Sequence, residues 1–167
     1  MDSILANVFL SVQERLRTEV PEISRWIDQD LGQLEFYTNN PPVSFPCALL
    51  DFDDTDYSDE GENSQIADAI LIVRLGLHVY SSSNVATPQL YKEKALDYLN
   101  LEHKVNKALH GWCDNRFFSP LMRRKAFKEK RDDHLRVRVL RYEFSFRDST
   151  ATEVRTSFPV PGLEITD

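Results

Sequence analysis

The chain has 167 residues and a mass of 19.4 kDa, the size of one domain able to bury most of its apolar surface. With 41% hydrophobic and 28% charged residues it excludes wholesale disorder. A net charge of −7 argues against general nucleic-acid binding. The longest apolar run, Ala69 to Val73, is far too short for a transmembrane helix, so no membrane partner is expected. Met1-Asp2-Ser3 places an acid where a signal peptide carries a base. Two cysteines, Cys47 and Cys113, form no CxxC and read as free thiols.

Leu5, Val8, Phe9, Val12 and Leu16 form one stripe of a helical period, capped by Asp2 or Ser3 and closed by Pro21. A short helical turn is expected through Ile23, Trp26 and Ile27. Residues 38–46 hold three prolines and read as a loop. Cys47 to Phe52 is a short apolar strand, and Asp53 to Asn63 reads as an acidic turn.

Gln65 to Tyr80 is the clearest strand, with Ala67, Ala69, Leu71, Val73, Leu75, Leu77 and Val79 on one apolar face. It is long for a strand, which suggests a protruding hairpin or an extended edge. Thr87-Pro88 opens a helix expected to reach about Trp112, with a break near Asn100 and a stop signal at Gly111. Asn115 to Phe127 is irregular or a strand, and Lys128 to Asp133 is a charged turn. Leu135 to Arg147 reads as the final strand. Its apolar set changes parity at Leu140, as a β-bulge would produce.

The element order α-β-β-α-β-β predicts an α+β fold: an antiparallel sheet of about four strands packed by two main helices. Residues 1–150 form the domain, and 151–167 an extended C-terminal arm.

Residues 1–87 hold 4 basic and 15 acidic side chains, while residues 88–167 hold 16 and 12. This asymmetry reads either as two surfaces of opposite sign or as loops that differ in charge. The basic cluster Arg123, Arg124, Lys125, Lys128, Lys130, Arg131, Arg136 and Arg138 is interleaved with Phe117, Phe118 and Phe127. It fits a nucleic-acid patch, a solvated hairpin, or the cationic half of a subunit interface that meets the acidic segment Asp53 to Glu62.

Catalytic motifs are weak. Asp51-Phe52-Asp53-Asp54-Thr55 matches a DxDxT phosphatase pattern, with Asp51 as nucleophile and Asp53 as acid/base. That chemistry belongs to a parallel sheet of alternating strands and helices, and here another strand follows. Asp54, Asp56 and Ser58 begin like a calcium loop, but Asp59 stands where the loop needs glycine. His103, His110 and Cys113 share a helix and are too few for zinc. No catalytic residue, metal site or cofactor is assigned.

The early helix, the entry Pro41-Pro42-Val43-Ser44-Phe45-Pro46, the long second strand, the run Phe118-Ser119-Pro120-Leu121-Met122-Arg123-Arg124 and the final Phe144-Ser145-Phe146-Arg147-Asp148-Ser149 occur together. Over residues 1–150 the chain resembles tail terminator, or tail-completion, proteins of long-tailed bacteriophages and prophages. The resemblance implies a non-enzymatic structural subunit, assembled as a homo-oligomeric ring, usually a hexamer. Such a ring caps the tail tube protein, joins it to the head connector or stopper protein, and lets DNA pass through its lumen without sequence-specific binding. It places the protein in the virion tail or neck, assembled in the bacterial host cytoplasm. Another head–tail connector or a tail tube component is the alternative; a DxDxT phosphatase or a nucleic-acid-binding module ranks below both.

A ring needs one contact between two different patches. The expected patches are Asp53, Asp54, Asp56, Asp59 and Glu60 on one side, and Arg123, Arg124, Lys125, Lys128, Lys130 and Arg131 on the other. Phe158, Val160, Leu163 and Ile165 are the expected anchors of the arm.

Overall fold

The amphipathic stripe near the N-terminus folds as helix α1 (Ile4–Glu19) in a computed structural model that describes residues 3–35, 43–131, 133 and 135–152. The Ser3 hydroxyl accepts a hydrogen bond from the Ala6 amide at 3.4 Å, and Pro21 ends the helix after Val20. Val8, Val12 and Leu16 are fully buried, each burial stabilising by ~1.5–3 kcal/mol. The second helix, α2 (Gln89–Leu109), begins after Pro88 and runs without a break at Asn100. It stops three residues short of Trp112, with Gly111 at positive φ just beyond. Its buried stripe of Leu101, Val105, Ala108 and Leu109 meets the same core as α1.

The chain is α+β, as its element order implies. The sheet has five strands, β1 (Ile27–Gln29), β2 (Cys47–Gly61), β3 (Ser64–His78), β4 (Met122–Lys128) and β5 (Leu135–Asp148), in the order β1-β2-β3-β5-β4. The extra strand is β1, which runs parallel to β2 from Ile27↔Ala48 to Gln29↔Leu50. The helical turn expected through Ile27 is confined to Pro21–Ile23. Three residues are too few for a period to show.

The acidic segment is not a turn. β2 continues through Asp53-Asp54-Thr55-Asp56 to Gly61 and pairs with β3 as far as Gly61↔Ser64. The turn is only Glu62-Asn63, both at positive φ as a two-residue hairpin requires. Aspartates lower local strand propensity, but the long β3 template overrides it. Two irregularities interrupt this pairing, one at Glu60 between Asp59↔Gln65 and Gly61↔Ser64, the other nearer the start of the strand. Phe52 faces Leu71 and Thr55 faces Ala69, so Asp53 and Asp54 together stand opposite Ile70.

The parity change in β5 also has another cause. β5 pairs with β3 in unbroken register from His78↔Leu135 to Gln65↔Asp148. Leu140, Tyr142, Phe144 and Phe146 enter the main core against the helices, whereas Leu135, Val137 and Val139 pack in a second cluster on the opposite face. The strand is therefore regular, and buried on one face at one end and on the other face at the other end. The bulge lies in its neighbour, where Arg124 is inserted between Arg123↔Tyr142 and Lys125↔Arg141.

The first face read from β3 is the core face: Ala67, Ala69, Leu71, Val73 and Leu75 are all buried. Beneath the far half of the hairpin the core is aromatic. Trp112, Phe118 and Phe144 follow one another at ring separations of 5.4 and 5.8 Å, and Phe146 lies 6.1 Å beyond. The expected arm from 151 lies outside the described residues save for Ala151 and Thr152, and so do Phe158, Val160, Leu163 and Ile165. No described helix is long and apolar enough to cross a membrane.

Candidate functional site

The face of the sheet away from the helices is divided in two. At one end Leu34, Val43 and Phe45 cover Cys47, Leu49 and Val137. Arg74 lies beneath this cover, its side chain 13% exposed. It donates to Asp30 at 2.6 Å, to Glu129 at 2.7 and 2.9 Å, and to Glu35. Burial works to lower the Arg74 pKa, but the three carboxylates outweigh it, so the guanidinium is held charged. Arg131 joins this network through Asp133 at 2.6 Å and Glu129 at 3.4 Å.

At the other end the face is open. Strand register aligns its side chains in rows across the sheet: Asp51, Ile72, Arg141 and Lys125; then Asp53 or Asp54, Ile70 and Glu143; then Asp56, Asp68 and Ser145. Acids thus collect on β2 and β3, and bases on β5 and β4. An open depression of about 650 Å³ separates them, with Asp54 and Asp56 on one wall and Arg124 and Arg141 on the other.

The expected patches occupy the two sides of one sheet, and parts of each are tied within the chain. Asp53 pairs with Arg141 across β3, Glu60 with Arg147 at 2.6 Å, and Asp59 accepts from the Gln65 amide at 2.9 Å. Asp54 and Asp56 are exposed on the β2 edge. On the basic side, Arg124 pairs with Glu143 at 2.7 Å, and Arg123 lies 3.9 Å from Glu102 on α2. The Lys125 ammonium sits over the Phe127 ring, 5.3 Å from its centroid. Lys128 and Lys130 are exposed, whereas Arg131 is withdrawn into the Arg74 network. Sequence reasoning left out Arg141 and Arg147, which face the acids from β5. Their alternation with Glu143 and Ser145 was the available signal.

Asp51 and Asp53 of the DxDxT run stand in successive rows of this face: Asp53 pairs with Arg141, and Asp51 accepts from the Phe52 amide at 2.8 Å. Asp54 to Ser58 is extended strand, so no calcium loop forms there. His110 Nδ1 accepts from the Arg123 amide at 3.1 Å, and the Cys113 thiol donates to Asn115 at 2.9 Å. Among the described residues no group of three or more His, Cys, Asp or Glu side chains could hold a metal ion.

No family model matches this sequence, and no curated protein matches it. Among solved structures, the chain is similar to one from a structure described as "Virion of native gene transfer agent (GTA) particle". The TM-score is 0.47 and the identity 12%, over 82% of this chain and 92% of that chain. The geometry itself defines a class: an α+β chain with one sheet whose two sides carry opposite charge.

Proposed function

We propose that this protein is a structural virion subunit without catalytic activity, a tail terminator or neck component that closes into a homo-oligomeric ring, six-membered in the simplest form. The ring caps the tail tube protein and meets the head connector or stopper, and DNA traverses its lumen. It is assembled in the bacterial host cytoplasm.

The observation that carries this reading is the segregation of charge. Asp54, Asp56 and Asp59 lie at one side of the rigid sheet, and Arg124, Lys125 and Lys128 at the other. A subunit polarised in this way makes the same contact repeatedly with copies of itself, and closure of that contact gives a ring. The net charge of −7 suits a lumen from which DNA must slide without adhering. The antiparallel return of β2 directly into β3, where the phosphatase pattern needs a helix and a parallel strand, favours this reading over a phosphatase.

The test is to assemble particles with and without this chain and to view them by electron microscopy. The proposal predicts that omission leaves overlong tails and heads without tails. Joined tails of normal length in its absence would overturn it.

A further inference from the structure

We infer that the contact between subunits is a continuation of the sheet, in which β4 of one copy pairs edge to edge with the outer half of β2 of the next. The inference rests on the ring reading above and names the surface that builds the ring.

Three observations lead there. The first is that both strands have an open side. β4 is the last strand of the sheet, and β1 covers β2 only from Ala48 to Leu50. Beyond Asp51, β2 therefore presents ten residues, 52–61, with no sheet neighbour on that side among the described residues. On β4 the 111–112 backbone holds Leu121, and His110 takes the Arg123 amide. This leaves Arg124 to Lys128, all exposed, a length of about 17 Å at ~3.4 Å per residue. Open edges of this kind accept another strand through backbone hydrogen bonds.

The second observation is direction. β2, β3, β5 and β4 alternate, each antiparallel to the one before. A second copy's β2 laid beside β4 continues the alternation and forms the better-aligned antiparallel ladder.

The third is charge. The β2 edge carries Asp53, Asp54, Asp56, Asp59 and Glu60, and β4 carries Arg123, Arg124, Lys125 and Lys128. Like edges repel, so β2 cannot pair with β2, nor β4 with β4. Only the unlike pairing remains, and it is head-to-tail, which is the kind of contact a ring requires. Asp54, Asp56 and Lys128 make no ion pair with any described residue, and all three are exposed. They are available to a neighbour without dismantling the pairs inside the subunit.

The experiment uses two charge-reversed chains, Asp54→Lys with Asp56→Lys, and Lys125→Glu with Lys128→Glu, with circular dichroism to establish that each folds. Assembly is read by sedimentation velocity. Each variant alone should assemble at least tenfold more weakly than wild type, and an equimolar mixture should recover assembly, because each supplies the edge that the other now needs. A general loss of folding cannot produce that recovery. Zero-length carbodiimide cross-linking of a mixed ¹⁴N/¹⁵N wild-type sample gives a second readout. Links between Asp54 or Asp56 of one isotope and Lys125 or Lys128 of the other support the contact. Rings that form equally well from either variant alone, folded variants whose mixture stays dissociated, or inter-chain links confined to other segments, overturn the edge contact and leave the ring reading standing. Wild-type chains that never associate overturn both.

Discussion

Replacement of Arg74 by methionine keeps much of the side chain's length and removes its charge. Three carboxylates then lose the cation that they surround. The Asp30 and Glu129 side chains are only 10% and 23% exposed, so water cannot replace the guanidinium fully. Breaking a buried pair from one side costs about 3–5 kcal/mol, because the remaining charge stays in a poorly solvated site. For a chain of this length ~1 kcal/mol corresponds to roughly 2–4 °C in Tm. The melting temperature should therefore fall by roughly 6–20 °C, measured by circular dichroism. A triple variant, Arg74→Met with Asp30→Asn and Glu129→Gln, removes both signs and should recover most of the loss. If Arg74→Met costs under ~1 kcal/mol, or the triple variant is no more stable than the single one, the reasoning from stranded charge is wrong.

Other substitutions probe the packing around the same sheet. A Cβ at Gly76 would lie 2.8 Å from the Cys47 sulfur and 3.0 Å from Leu34 Cδ2, so Gly76→Ala should cost ~1–3 kcal/mol by denaturant unfolding. Leu75 is fully buried on the core face, and Leu75→Asp should yield no soluble, cooperatively unfolding protein, since it buries an unpaired charge. Burial pushes the Cys47 thiol up to about 11, partly offset by the Gly76 backbone and the charge of Arg74. A thiol reagent at pH 8 should therefore modify Cys113 alone in the folded chain and both cysteines in denaturant. The raised value also means that the unfolded chain loses this proton first. The contribution, on the order of 2 kcal/mol, is intact below pH 9 and is lost as pH rises through 11. Cys47→Ala should flatten the stability profile across that window relative to wild type.

The elements with strong periodicity were legible. The stripe of α1 and the alternating face of β3 each extend over many residues, and Val8, Val12 and Leu16, and Ala67 to Leu75 on the alternate positions, are buried where the pattern placed them, while β3 ends at His78, before the expected Val79. The acidic half of β2 was not legible, because its strand character comes from pairing with β3 and not from its own residues. The parity change in β5 was visible, but its cause was not. A strand covered first on one face and then on the other gives the same string as a bulged strand. Of the surface, the two charged segments were readable as runs of like charge. Their placement at opposite sides of a single sheet depends on strand order, which no local pattern encodes. The withdrawal of Arg131 was hidden for a related reason: besides its near neighbours Glu129 and Asp133 it donates to the Leu34 carbonyl, 97 residues away in the chain.

The proposed ring is built from copies of this one chain. Native mass spectrometry of the purified wild-type protein, over a range of concentration and ionic strength, addresses it most directly. A closed species at one fixed multiple of 19.4 kDa, near six subunits and weakened by added salt, is the predicted result. A monomer at every concentration and salt, or an open ladder of multiples with no preferred size, would contradict it.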